Sequence, residues 1–131
     1  MQTSSATALL LTIAEPTRLR ILNCLAAAPL FVSDLQAVLD LPQPTVSRHL
    51  QVLRKADVVR DTPIAQFVLY RLRRGAGTEG RLLAAVLDGV GADPLMRSER
   101  DRAAQRSRSR TEPRAPEAEG PASASRPRRP T

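Results

Sequence analysis

The chain has 131 residues, enough for one domain and little more. It carries 20 Lys and Arg against 13 Asp and Glu, a formal net charge of +7, which favours a polyanionic partner such as nucleic acid or an acidic membrane surface. A single cysteine, Cys24, excludes an intramolecular disulfide, and no apolar run has the length and flanks of a signal peptide or a membrane span, so a cytoplasmic protein with no membrane partner is expected.

In chain order, Ala6, Leu9, Leu10 and Ile13 recur at helical spacing and predict a first amphipathic helix. Pro16 suits the first turn of a second, because its missing N–H would be unpaired there in any case. That helix carries Leu19, Ile21, Leu22, Leu25 and Ala26 and ends near Pro29. The stretch "SDLQAVLD" opens on Ser33 with Gln36 three residues on, the spacing of a capping box, and Leu35, Val38 and Leu39 supply its buried side. A fourth helix follows in "PTVSRHLQVLRK", where Val46, Leu50 and Leu53 form an apolar stripe, and it ends at Ala56. Asp57 then stands where the chain must turn, a position that favours a residue tolerant of the left-handed conformation.

The pattern switches to period two in "DVVRDTPIAQFVLYRL". Val58 and Val59 begin one strand, Phe67 to Leu72 form another, and Thr62 and Pro63 mark the turn of the hairpin. The stretch "TEGRLLAAVLDGV" offers Leu82, Leu83, Val86, Leu87 and Val90 as a last amphipathic helix. From residue 92 the composition shifts to Arg, Pro, Ser and Ala, with only Leu95 and Met96 as large apolar groups. Such a segment buries too little apolar surface to offset its ordering entropy, so a disordered tail over 92–131 is expected after a folded domain over 1–91, with room for a short helix between Pro94 and Gln105. The tail accounts for about half of the net charge: 10 basic and 6 acidic residues, against 10 and 7 before it. Solubilisation and non-specific attraction to DNA both remain open as its role.

The fold class is therefore mainly α with a small β-hairpin, in the order α-α-α-α-β-β-α. Two short helices joined by a tight turn have the layout of a helix-turn-helix, and the hairpin behind them is the layout of a winged helix. In that arrangement the first helix braces the second, whose N-terminal residues reach base edges in the major groove. A helical wheel puts Val46, His49, Leu50 and Leu53 on one face and Ser47, Arg48, Gln51 and Lys55 on the other, with Gln43 and Thr45 at the entrance. Arg bonds guanine as a fork and Gln bonds adenine similarly, while Ser, Thr and Lys position a helix on phosphates. Gln43, Thr45, Ser47, Arg48, Gln51, Arg54 and Lys55, with Arg60 and Arg71 on the hairpin, are the candidate DNA-binding residues. A surface helix with no ligand can carry the same residue types, so the helix–turn–helix–hairpin order is what favours DNA. The folded part offers no nucleophile–base pair, no Gly-rich phosphate loop and no carboxylate pair at a recognisable spacing, which speaks against an enzyme and against a cofactor.

The blocks "PTRLRIL", "VSDLQAVLDLPQPTVSRHLQVLRKADVV" and "VLYRL" resemble, in order, the ArsR/SmtB (arsenic-repressor) family of bacterial winged-helix regulators, from about Ala14 to Leu72. The resemblance implies a homodimeric repressor of a palindromic double-stranded operator, with the dimer formed by the first and last helices, here the Ala6–Ile13 and Leu82–Val90 stripes. It also marks departures. Metal-sensing members often carry Cys-Val-Cys at the start of the third helix, where this chain has Phe31 and Ser33, and the last helix has Glu79 and Asp88 but no histidine. Soft metals need several thiolates, so the common metal sites are not expected. The wing, "DTPIAQF", lacks the usual basic residues and glycine, which leaves Arg60, Arg71, Arg73, Arg74 and the Arg-rich tail to attract phosphate. Asp57 replaces a usual Gly and Pro42 a usual Ser. His49 is expected to pack and Cys24 to be a buried, inert thiol. The alternatives are a redox-responsive regulator using Cys24 and a winged helix that binds protein instead of DNA. The effector is not legible in the chain.

Overall fold

Ser4 and Glu15 start the first two helices with their side chains. The Ser4 hydroxyl accepts from the Thr7 amide (3.2 Å) at the head of α1 (Ser5–Ile13), and the Glu15 carboxylate accepts from the Arg18 amide (2.8 Å) at the head of α2 (Pro16–Leu25), with Pro16 in the first turn as expected. The computed structural model describes residues 4–111. Behind α2 come β1 (Leu30–Phe31), α3 (Val32–Leu39), α4 (Gln43–Lys55), β2 (Val59–Ile64), β3 (Phe67–Leu72), α5 (Thr78–Val90) and α6 (Pro94–Thr111).

The core forms where the apolar periods of these elements meet. Ile21, Leu22 and Leu25 of α2, Leu35 of α3, Val46, Leu50 and Leu53 of α4, and Leu83 and Leu87 of α5 are all buried, closed from below by Val59, Tyr70 and Leu72 of the sheet. The strands run antiparallel in the order β1-β3-β2, with Leu30 opposite Tyr70 and Val59 opposite Leu72. Asp57 turns the chain out of α4 at φ 62°, the left-handed conformation for which Asp is suited.

Four expectations are corrected. The hairpin turn lies at Ala65 and Gln66, between β2 and β3, and Ala65 takes the positive φ of 56°. Thr62 and Pro63 are strand residues opposite Leu69 and Val68. Proline is tolerated there because β2 is an edge strand, where the missing N–H interrupts no ladder. Helix α3 starts at Val32, not after Ser33, and Asp34 caps it by accepting from the Phe31 amide (2.8 Å). The short strand β1 precedes it; two residues are too few to show a period. Finally, α5 is not the last helix. Residues 94–111, expected as part of a disordered tail with room only for a short helix between Pro94 and Gln105, form the longer helix α6, whose Ala103 and Glu99 are buried against α2 and α3. The remainder of that expected tail, 112–131, lies outside the described residues.

α6 is held by charge and not by an apolar stripe, which is why apolar periodicity misses it. Glu99 is buried and receives Arg20 through Nε and Nη2, the closer contact at 2.5 Å. The Asn23 amide donates to the Met96 carbonyl (2.7 Å), and its oxygen accepts from Arg100, which also reaches the Leu87 carbonyl. At the far end, Arg106 (3.0 Å) and Arg110 (2.7 Å) converge on the buried carboxylate of Asp34. Each buried polar group thus has a partner, without which its burial would be costly.

Candidate nucleic-acid interface

Inward packing of Val46, Leu50 and Leu53 fixes which face of α4 meets solvent. Gln43, Arg48, Gln51, Arg54 and Lys55 are exposed on that face, and Thr45 and Ser47 are half-buried beside them. His49 goes inward with the core residues. Its Nδ1 accepts from Arg18 Nε (3.3 Å) and lies 3.8 Å from Glu15, which ties α4 to the junction of α1 and α2. This is a packing role.

The outward residues differ in how far they are already engaged. Gln43 Nε2 donates to the Ser47 hydroxyl (2.7 Å), one turn on. Gln51 is held at both ends: its Nε2 donates to Tyr70 Oη (3.4 Å), and its Oε1 accepts from Arg54 (3.3 Å). Arg54 also lies 3.9 Å from Asp61 on β2. The Tyr70 phenol is pushed up by burial, with the Asp61 charge adding, so it stays protonated beside Gln51. This bridge from α4 to the wing is not legible in the sequence, since Tyr70 reads there only as a strand residue. Arg48 and Lys55 have no hydrogen bond or ion pair among the described residues.

The wing contributes from its base. Arg60 and Arg71 stand directly opposite each other across β2 and β3, both exposed. Like charges in facing positions of an antiparallel pair repel, and among the described residues Arg71 meets only the Thr62 hydroxyl (3.2 Å) for relief. Arg73 and Arg74 are engaged elsewhere, with Asp57 (3.1 Å) and the Ala26 carbonyl (3.2 Å), so they are not part of this surface. The tip is apolar: Ile64 and Phe67 are exposed. The nine candidate residues thus fall in two clusters on one module, seven on the outer face of α4 and two at the base of the wing.

Cys24 is fully buried, its Sγ 3.9 Å from the Glu99 carbonyl. Burial pushes its thiol up to about 12, the Glu99 charge adding and Arg20, Arg102 and Arg100 opposing. The opposing arginines are thus outweighed, and no thiolate forms at neutral pH. Phe31, at one of the two positions where metal-sensing relatives would carry cysteine, is packed edge-on against Phe67 (centroids 6.1 Å apart) and covered by the Arg110 guanidinium (4.9 Å). Among the described residues no three His, Cys, Asp or Glu side chains converge as a metal site.

Two helices at a tight turn, a β-ribbon behind them and a cationic outer face define a winged helix-turn-helix regulator. Residues 13–62 match a family model described as a helix-turn-helix domain. The chain is 44% identical over 64 residues to the biofilm growth-associated repressor of Agrobacterium fabrum, covering 49% of this chain and 55% of that protein. It is 38% identical over 82 residues to the transcriptional repressor SmtB of Mycobacterium tuberculosis, covering 63% and 57%. It therefore spans little more than half the length of these curated relatives. The solved structure of HlyU from Vibrio cholerae superposes with a TM-score of 0.58 at 33% identity, over 67% of this chain and 89% of that one. The chain belongs to the ArsR/SmtB family of transcriptional regulators, which are not enzymes.

Proposed function

We propose that this protein is a homodimeric, sequence-specific repressor, acting in the cytoplasm, that reads a two-fold symmetric DNA operator with the outer face of α4. Arg48 and Gln51 are the base readers, with Gln43 at the entrance. Thr45, Ser47, Arg54 and Lys55 position the helix on phosphates, and Arg60 and Arg71 hold the backbone beside it. The observation that carries this reading is the uncompensated charge on one face: Arg48 and Lys55 without partners among the described residues, and Arg60 facing Arg71. A polyanion relieves that repulsion. The names of the relatives as repressors support the direction of regulation.

Dimerisation falls to α1 and α5. Leu11, 69% exposed, and Leu10, 41% exposed, form an apolar surface on α1 that an isologous contact would cover. Control by Cys24 oxidation is disfavoured by its burial. No helix among the described residues is long and apolar enough to cross a membrane.

A mobility shift on the DNA upstream of its own gene tests the proposal. Wild type should retard one sequence in preference to others, and Arg48→Ala and Gln43→Ala should weaken that preference. Specific binding untouched by both changes removes the assignment of the reading face. Binding without any sequence preference turns the account towards the protein-interaction alternative, for which the exposed Ile64 and Phe67 offer a surface.

A further inference from the structure

A cavity of about 470 Å³ opens where α1, the first turn of α5 and the turn out of α4 meet, a size that suits a small organic molecule. Its floor is apolar: Leu9 lies half-buried there, and Val58 and Leu83 are buried in the core. Small residues keep it open, Ala8 on α1 and the glycines at the entry to α5. A Cβ on Gly80 would stand 2.0 Å from the Gly75 carbonyl oxygen, so the loop closes on α5 backbone to backbone and no side chain fills that wall.

Three charged groups line the rim. Arg73 is neutralised by Asp57 (3.1 Å), whereas Glu79, exposed in the first turn of α5, meets no hydrogen-bond or ion-pair partner among the described residues. Two carboxylates against one guanidinium leave one negative charge over an apolar floor. That combination suits a cation with an apolar body and disfavours an anion. The cavity is also separate from the surface assigned to dimerisation. At 100° per residue, Ser5, Ala8, Leu9 and Thr12 form one face of α1, and the exposed Leu10 and Leu11 project from the other side. Its walls nevertheless join α1 and α5 to the end of α4, so a molecule wedged there shifts α4 against the dimer helices.

We propose that this cavity is an effector site for a small organic amine, with the ammonium on Glu79 and the apolar body against Leu9, Val58 and Leu83, and that its occupancy alters operator affinity. The site needs no DNA to form; the coupling rests on the proposed operator binding and is reciprocal by linkage.

Magnetic resonance titrations of the isotope-labelled full chain, without DNA, compare three probes of similar shape: phenethylamine, phenylethanol and phenylpropanoate. Phenethylamine should shift the Thr12, Val58 and Leu83 amides saturably and bind most tightly, with phenylpropanoate weakest. Glu79→Gln should weaken the amine about fivefold, the scale of an exposed ion pair, and leave the alcohol unchanged. Glu79→Lys should place phenylpropanoate above the amine, and Asp88→Asn, on the same helix outside the cavity, should match wild type. An amine that shifts none of these amides, or that Glu79→Gln and wild type bind alike, overturns the site. Anisotropy on an operator duplex then tests the coupling: saturating phenethylamine should change wild-type affinity by about fivefold or more and leave that of Glu79→Lys unchanged. Wild-type affinity that stays constant with the amine bound overturns the coupling. A protein that takes the amine but binds no operator overturns the reading of α4 and leaves the site standing.

Discussion

Replacing Asp34 by alanine should release the C-terminal half of α6 and unsettle the start of α3 together. The carboxylate is 3% exposed and has three donors: Arg106 at 3.0 Å, Arg110 at 2.7 Å and the Phe31 amide at 2.8 Å. Hydrogen bonds to a charged group contribute about 1.5–3 kcal/mol each when shielded. Here both guanidiniums are partly exposed and regain water when the carboxylate goes, so the two pairs together amount to about 1–2 kcal/mol. Loss of the cap on α3 adds about 1 kcal/mol. The sum, about 2–3 kcal/mol, corresponds to a fall in Tm of about 10 °C or more for a domain of this size. Circular dichroism melts measure it directly, and urea titrations give the free energy. Asp34→Asn, which still accepts from the Phe31 amide, should lose roughly half as much. A double-mutant cycle with Arg106→Gln and Arg110→Gln should be strongly non-additive. An Asp34→Ala protein melting within about 2 °C of wild type would refute the reasoning that paired charge holds α6 in place.

Other consequences are as direct. Leu50→Ala, at a fully buried position on the inner face of α4, should cost about 2–5 kcal/mol in urea unfolding, whereas Val52→Ala on the rim should cost well under 1 kcal/mol. Cys24 should resist thiol reagents in the native protein and react on unfolding. Because its native value of about 12 lies above the ordinary 9.0, the unfolded chain sheds the proton first as pH rises. Its contribution is therefore intact below about pH 9 and declines above it, by about 1.4 kcal/mol per pH unit, a dependence that Cys24→Ala should lack in alkaline urea titrations. Leu11→Glu should convert a dimer to a monomer in light scattering without lowering helix content, since that side chain faces solvent in the protomer.

The sequence and the structure agree where one physical signal dominates. Val46, Leu50 and Leu53 recur at helical spacing, and burial of those three residues alone dictates that Arg48 and Gln51 face outward. Pro16 and Asp57 are legible for a similar reason, because each has a backbone preference that few positions satisfy. The hairpin turn was not, since Pro63 reads as a turn residue unless its strand is known to lie at the sheet edge. α6 was illegible on apolar grounds: its binding energy sits in Arg20–Glu99, Arg100–Asn23 and the Asp34 pair, contacts separated by more than 70 residues. Composition treats those arginines as solvated. The link between Gln51 and Tyr70 escapes for the same reason, as neither residue announces a partner across a turn.

Selection of duplexes from a random pool by the full-length protein tests the central claim most directly. The account predicts enrichment of a two-fold symmetric motif whose half-sites lie about one helical turn apart, and loss of preference at a defined position of each half-site with Arg48→Ala. A pool that stays random after repeated rounds, or a motif that Arg48→Ala enriches unchanged, would contradict it.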